Sequence, residues 1–291
     1  PKALRSLEPL GVIGRTVQRG AGAVSDKLYK NAAGIPASTL DEGTDLARRS
    51  AREGASVDPD GLRFTRLMRD ELNIELNDMI TNTMEGVPLV DKRVIVNGFD
   101  ELIEKQRNKP RASQNIEYIK RKRQEFLDEF PGQDELYPYQ LHDWKTGAYV
   151  DAYQKAAKGK PDRKVATLRT SARGAKEALE DIPELKNYGP TNARWQTFAE
   201  IEPYIAKRID EIGQTDSFLK DMMQRTVMSP GWQSNAAIFL RKAADADMGW
   251  MGRNMNTAEI RTALALVGRN QETLEFEDEP LQIEIQDGVA Q

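Results

Sequence analysis

The stretch DPDGLRFTRLMRDELNIELNDMITNTM, residues 58–84, decides the fold class of this chain. Its apolar residues recur every three or four positions, a spacing that places them on one face of an α-helix. Those residues are Phe64, Leu67, Met68, Leu72, Leu76, Met79, Ile80 and Met84. Ile74 alone lies off this face. Asp58 before Pro59 is typical of a helix start, and Gly86 supplies a stop. The pattern predicts one long amphipathic helix that needs a partner surface.

Other segments repeat the helical pattern. In one segment, apolar residues alternate at spacings of three and four, which places them along one line of a helix, and the small ones permit close helix packing. The members of this seam are Val165, Leu168, Ala172, Ala175 and Leu179. A further helix is predicted from about Asn192 to Gly213. The run VIVNGF, residues 94–99, has the β-branched content of a strand, with Asn97-Gly98 as a turn. A helix is favoured there because the apolar spacing continues beyond it.

The composition supports an all-α fold. The chain has 291 residues, of which 39% are apolar, 30% charged and only 7% aromatic, which suits thin helical packing better than a deep globular core. We therefore predict an elongated bundle of helices or helical hairpins, with a flexible basic N-terminal arm, an acidic C-terminal tail and a short terminal strand. The predicted domains are 1–34, the flexible arm; 35–131, an N-terminal helical unit; 137–213, a helical hairpin or three-helix unit; and 214–291, a methionine-rich helical region with the acidic tail.

The two ends of the chain carry opposite charge. Residues 1–30 hold six Lys or Arg against two acids, whereas residues 272–291 hold seven Asp or Glu and no Lys or Arg. Such ends are expected to meet different partners, or one another in neighbouring subunits. Pro1 follows either an excised initiator methionine or a longer precursor, and the two look the same in the sequence.

The residue inventory excludes several classes of active site. Cysteine is absent and His142 is the one histidine, which excludes disulfides, thiolate nucleophiles, His-dependent triads and HExxH zinc sites. We find no phosphate-binding glycine loop, nucleophile elbow or EF-hand, and Asp58-x-Asp60-Gly61 is interpreted as a helix cap rather than a calcium loop. We predict no enzyme and no cofactor, with His142 structural or exposed. No apolar run is long enough for a stable membrane span.

Basic residues in two places are candidate DNA-phosphate contacts. They are Arg15 and Arg19 in the arm, and Lys120, Arg121, Lys122 and Arg123 in one run. A solvated helix face, balanced by acids such as Glu125 and Asp128, is the favoured alternative for the run.

The last third of the chain is rich in methionine, an adaptable side chain that suits partner surfaces. The candidate partner interface comprises Met222, Met223, Trp232 and Trp250, together with Leu281, Ile283 and Ile285, which alternate with polar residues as in a strand. Ordinary core packing is an equal alternative for the methionines. A lone strand would need the edge of a neighbouring subunit.

Several segments together resemble a helical region of tailed-phage virion proteins. They are LYKNAAGIP at 28–36, ARRSAREG at 47–54, LYPYQLHDWKTGAYVDAY at 136–153, ARGAKEALED at 172–181, and the helix after Asn192 that contains IAKRI. The resemblance, to internal virion and tape-measure-like proteins, spans roughly residues 25–213. It implies helices without catalytic residues.

The resemblance implies a virion location after assembly in the bacterial cytoplasm. It also implies a homo-oligomeric ring, contact with the portal or other virion proteins, and proximity to genomic DNA. The length of 291 residues suits an internal head or ejection protein better than a tape measure. The alternatives are a scaffolding or assembly chaperone and a tail tape-measure-related structural protein.

Overall fold

The computed structural model describes residues 22–36, 40–82, 88–109, 112–158, 163–214 and 229–245. Within these ranges it has nine helices and one pair of short strands, so the predicted all-α class is confirmed. The helices are α1 at residues 22–32, α2 Leu40–Glu53, α3 Pro59–Asn82, α4 Arg93–Gln106, α5 Ala112–Glu129, α6 Pro138–Lys158, α7 Arg163–Glu180, α8 Tyr188–Gly213 and α9 Pro230–Asp245. The strands β1 Val90–Asp91 and β2 Glu135–Leu136 pair antiparallel, with Val90 opposite Leu136.

The start of α3 is fixed as its sequence predicts. The Asp58 carboxylate accepts a hydrogen bond from the Gly61 backbone N–H at 2.7 Å, which satisfies one of the free donors of the first turn. Gly61 itself is required by packing, because a Cβ at this position would lie 2.1 Å from the Ser56 carbonyl oxygen. The helix can therefore begin so close to the preceding loop only with glycine here.

The buried face of α3 differs from the prediction in its first half. Leu72, Leu76 and Ile80 are buried as expected, and they pack with α6 and α8. Phe64 and Leu67, which the sequence places on the same face, are instead 38% and 56% exposed. The reason is that the small residues at positions 61 and 65 take the buried line over this half, which turns the larger side chains outward.

The predicted seam on α7 is confirmed. All of its members are buried, and α7 packs along α6 on one side and α4 on the other. Gly174 allows the second contact, since a Cβ there would lie 3.3 Å from Cδ1 of Ile95. The run VIVNGF lies within α4, so the favoured helix is confirmed and the strand reading is wrong.

Two predicted irregular segments take part in the fold. Residues 22–32 of the predicted flexible arm form α1, and Tyr29 there is fully buried, with its hydroxyl donating to the Ala55 carbonyl. The predicted linker between residues 131 and 138 contains β2, which pairs with β1. Local composition missed both, because the stabilising partners are distant in sequence.

Residues 25–242 form one compact unit, within which helices of the predicted units 35–131 and 137–213 pack on one another. In this unit α9 lies against α1 and the loop before α3. Ser25 Oγ donates to the Ala237 carbonyl at 2.8 Å, and Ser234 Oγ accepts from the Val57 N–H at 2.8 Å. The other unit comprises residues 1–24 and 243–291, of which the structure describes only 22–24 and 243–245.

Candidate functional site

A chain of buried polar side chains joins α3, α6 and α8. Lys145 Nζ on α6 donates to the Tyr188 hydroxyl at 2.7 Å and to Oδ1 of Asn192 at 2.6 Å. His142, one turn earlier, has Nδ1 2.9 Å from the same hydroxyl and Nε2 3.2 Å from Oδ1 of Asn73. Lys145 is fully buried and His142 is 1% exposed. Each of the three helices thus supplies at least one member of the chain.

The hydrogen bonds that join these buried side chains run in one direction, from Lys145 through Tyr188 and His142 to Asn73. The Asn73 oxygen can only accept, so Nε2 of His142 carries the proton and Nδ1 is left as an acceptor. The Tyr188 hydroxyl therefore donates to Nδ1 and in turn accepts from Lys145. The geometry assigns a neutral His142 as its Nε2–H tautomer.

The surroundings of Lys145 and His142 lower the pKa of both side chains. Burial lowers the pKa of Lys145 to about 7, opposed by the charge of Glu180 and assisted by that of Lys176. Burial, and then the nearby Lys145, lower the pKa of His142 to about 3. The aromatic faces of Tyr188 and Trp195 lie 5.0 and 4.9 Å from the Lys145 nitrogen and stabilise its charged form.

A lysine with a lowered pKa is often a catalytic residue, but a catalytic group must be accessible to its substrate. The nitrogen of Lys145 is enclosed by two rings, and its hydrogen bonds go to neighbouring side chains. What this arrangement does is fix the register of three helices, because the donors of Lys145 and His142 on α6 have acceptors on α8 and α3. The one signal in the sequence is that Lys145 lies four residues after Leu141 and three before Ala148, where helical periodicity expects an apolar side chain.

A second polar cluster lies between α2, α7 and α8. The Glu200 carboxylate accepts from Arg49 at 3.2 Å and from Arg169 at 2.9 Å, and Arg169 also pairs with Glu42 at 3.0 Å. The cluster borders a pocket of about 290 Å³. Because the acids and the arginines neutralise one another, the pocket presents no strong charge to a ligand.

A groove of about 460 Å³ runs between α3, α6 and α8. Glu202 on α8 accepts from Arg66 at 2.8 Å and also from Arg69, so both arginines are held by one carboxylate. The groove floor includes apolar Val150 and Ala199. Among the described residues no group of three His, Asp or Glu is arranged to hold a metal ion.

The exposed face of α3 is the clearest apolar surface of a single helix. Phe64 is 38%, Leu67 56% and Ile74 60% exposed. The Phe64 ring is nevertheless fixed, because it packs edge-on against Phe198 with the ring centroids 5.8 Å apart. Apolar side chains exposed on one side of a helix are available for contact with another protein.

The candidate basic run lies on α5 and is largely paired with acids. Arg123 binds Asp100 at 3.0 Å, while Lys122 and Arg121 lie 2.5 and 3.6 Å from the Glu125 carboxylate. Lys120 is exposed on the same helix. The structure thus places acids beside Arg121, Lys122 and Arg123. A contact of the four basic residues with DNA stays a prediction.

The remaining candidate residues fall mostly outside the described ranges. These are Arg15, Arg19, Met222, Met223, Trp250, Leu281, Ile283 and Ile285. Trp232 is described and lies half-buried in the first turn of α9. Its backbone N–H donates a hydrogen bond to Ser229 Oγ at 3.1 Å. The predicted terminal strand is likewise outside the described residues.

No protein-family model, curated protein or solved structure matches this chain. Among the helices that the structure describes, none combines the length and the apolar character needed to cross a membrane.

Proposed function

We propose that this chain is a non-enzymatic helical component of a tailed-phage virion. In this proposal it assembles as a homo-oligomer near the portal, along the path of the DNA, and assists genome delivery. The observation that carries the proposal is the exposed apolar face of α3, on a helix whose other face is already packed against α6 and α8. A subunit that must join others needs such a face.

The buried polar chain supports the same function. Lys145 and His142 are committed to hydrogen bonds that hold three helices in register, which serves a subunit that must present a fixed surface. The resemblance of residues 25–213 to internal virion proteins supplies the setting. The proposed ring and the contact with the portal rest on that resemblance alone.

A DNA contact is the weaker part of the proposal. Ion pairs with Glu125 and Asp100 reduce the charge that the α5 run can offer to phosphate. A DNA role predicts an affinity that falls steeply with salt concentration. Binding of the purified protein to duplex DNA that is absent, or equal at 50 and 200 mM salt, would remove this part and leave the assembly role untouched.

The test of the function is quantitative mass spectrometry of purified infectious particles, precursor particles and particles that have released their DNA. We expect the chain at a fixed copy number in infectious particles and its loss with the genome. Retention in emptied particles would assign it to the fixed portal or tail structure instead. Presence in precursors alone would favour the scaffolding alternative, and absence from every particle would refute a virion role.

A further inference from the structure

Two helices that are far apart in sequence lie side by side at one corner of the compact unit. The Asp26 carboxylate of α1 pairs with Arg241 of α9, and Ser25 Oγ of α1 donates to the Ala237 carbonyl of α9 at 2.8 Å. All four residues are buried. The contact between α1 and α9 is therefore a fixed part of the fold.

The two helices run in opposite directions. The loop before α3 contacts both of them, because its Ala55 carbonyl accepts from the Tyr29 hydroxyl of α1 and its Val57 N–H donates to Ser234 Oγ of α9. Along α1 this loop contact comes after the ion pair, whereas along α9 it comes before the ion pair. The first residue of α1 and the last residue of α9 consequently lie at the same end of the helix pair.

Segments of opposite charge are attached at this end. Residues 1–21 lead into α1 and hold four Lys or Arg against one acid, a net charge of +3. Residues 246–291 follow α9 and hold nine acids against three arginines, a net charge of −6. Both segments lie outside the described residues. Since α1 begins four residues before Asp26 and α9 ends four residues after Arg241, each attachment point is about 6 Å along its helix from the ion pair.

The acids of the second segment are concentrated in one short run. Four of them lie within residues 275–279, which we call the acid run: Glu275, Glu277, Asp278 and Glu279. The acid run begins 30 residues after Asp245, and an extended chain of this length reaches about 100 Å. It is therefore long enough to return to residues 1–21.

We propose that the acid run pairs with the basic residues of segment 1–21 of the same chain. The opposite charges attract, and two segments tethered at one point meet at an effective concentration of about millimolar. A second copy at micromolar concentration competes poorly with a partner held in this way. The contact of Asp26 with Arg241 is what favours the same chain, because it keeps the two attachment points together.

The pairing has a consequence for the binding of nucleic acid. Arg15 and Arg19 in segment 1–21 are two of the candidate phosphate contacts, and closely spaced carboxylates are acceptors for arginine just as phosphates are. The acid run and DNA are thus expected to compete for the same side chains. This consequence rests on the DNA contact of the proposed function, whereas the pairing itself does not.

The first test of the pairing is energy transfer between two dyes on the full chain. The sequence has no cysteine, so Ala3→Cys with Val289→Cys supplies the two labelled positions. We expect the transfer efficiency to fall between 50 and 500 mM salt, since the Debye length decreases about threefold. At low salt it should also fall when the acid run is neutralised, by Glu275→Gln, Glu277→Gln, Asp278→Asn and Glu279→Gln. A transfer efficiency that this neutralised variant leaves unchanged would overturn the pairing.

The matched control removes four acids from the described surface instead. Its changes are at side chains that are 59–91% exposed, namely Asp60→Asn, Asp70→Asn, Glu101→Gln and Glu104→Gln. The net charge changes by the same amount, so this control should keep the wild-type transfer efficiency. If it lowers the efficiency as much as the neutralised variant does, net charge alone is responsible and the pairing is overturned. Circular dichroism melting checks that each variant is folded.

An excess of unlabelled protein distinguishes the same chain from a neighbouring one. Labelled and unlabelled chains are unfolded together in urea and then refolded. We expect the transfer efficiency to stay unchanged, because both dyes remain on one chain. Its loss would place the partner segment on a second copy and overturn the same-chain arrangement.

Duplex DNA supplies the test of the competition. At low salt the neutralised variant should bind DNA about tenfold more tightly than the matched control. Arg15→Gln with Arg19→Gln, added to the neutralised variant, should remove this gain. Equal affinities of the neutralised variant and the control would overturn the competition. Absence of the chain from particles would overturn the proposed function, yet an energy transfer that depends on the acid run would still establish the pairing.

Discussion

The Lys145 nitrogen lies 2.6 Å from Oδ1 of Asn192, which is 47 residues later in the chain and on another helix. Neither residue is remarkable in the sequence, and no carboxylate is hydrogen-bonded to this lysine among the described residues. The fold thus holds a lysine in its interior by an amide, a hydroxyl and two aromatic faces. This arrangement makes the stability of the protein depend on pH in a definite direction.

Replacing Lys145 by Met should remove part of that pH dependence. The pKa of Lys145 is about 7 in the folded protein and 10.5 in the unfolded chain, so between these values only the unfolded state holds the proton. The free energy of unfolding therefore rises with pH across this window, by up to about 3 kcal/mol from pH 7 to 9. Urea denaturation at both pH values measures it. Equal pH slopes for wild type and Lys145→Met would contradict the assignment.

His142 allows a direct test by nuclear magnetic resonance, because it is the one histidine in the sequence. Its pKa of about 3 predicts that the imidazole signals stay constant between pH 8 and about 5, with nitrogen shifts of the Nε2–H tautomer. Unfolded chains bind the proton below pH 6.5, so stability should fall as pH falls from 6.5 towards 3. An imidazole that titrates near 6.5 in the folded protein would show that the hydrogen-bond chain is absent.

Asp26→Ala should be strongly destabilising. The Asp26 carboxylate faces Arg241 and Arg48, and the side chains of Asp26 and Arg241 are only 6% and 7% exposed. Removing one member of a buried ion pair costs about 3–5 kcal/mol. The control Asp60→Ala removes the exposed partner of Arg63 and should cost less than about 0.5 kcal/mol. Chemical denaturation of both variants measures the difference, and similar values would refute a buried role for Asp26.

Two glycines should respond oppositely to alanine. Gly61→Ala places a methyl group 2.1 Å from the Ser56 carbonyl oxygen, and the forced shift of the loop should cost about 1–3 kcal/mol or more. Gly147 lies within α6 with no atom near its Cβ position. Gly147→Ala should therefore stabilise the protein by about 0.5–1 kcal/mol. Thermal melting separates the two, and a melting temperature that Gly61→Ala leaves unchanged would contradict the close packing at α3.

Periodicity predicted the helices well because their packing is repeated along the chain. The seam from Val165 to Leu179 has the same small-residue spacing over four steps, and every member is buried. The first half of α3 departs from its pattern because Gly61 and Thr65 occupy the buried line there, and Gly61 lies against the loop residue Ser56. Gly61 and Thr65 are small residues, and a search for large apolar side chains at helical spacing does not detect them.

The polar sites were less predictable because their members come from separate elements. His142 and Lys145 are one turn apart, but their partners Tyr188 and Asn192 meet them only when α8 packs on α6. The Asp26 pair with Arg241 spans an even greater separation. A single sequence carries no signal for such pairs.

The position of Arg241 also matters while the protein is being synthesised. At 5–20 residues per second, the 215 residues between Asp26 and Arg241 take about 10–45 s to translate. During that interval α1 can dock through Tyr29 on Ala55, which is only 26 residues away. The Asp26 carboxylate can pair with Arg48 at this stage, but its buried pair with Arg241 must wait for α9. The nascent chain therefore completes this corner of the compact unit only after α9 has been synthesised, long after α1 itself.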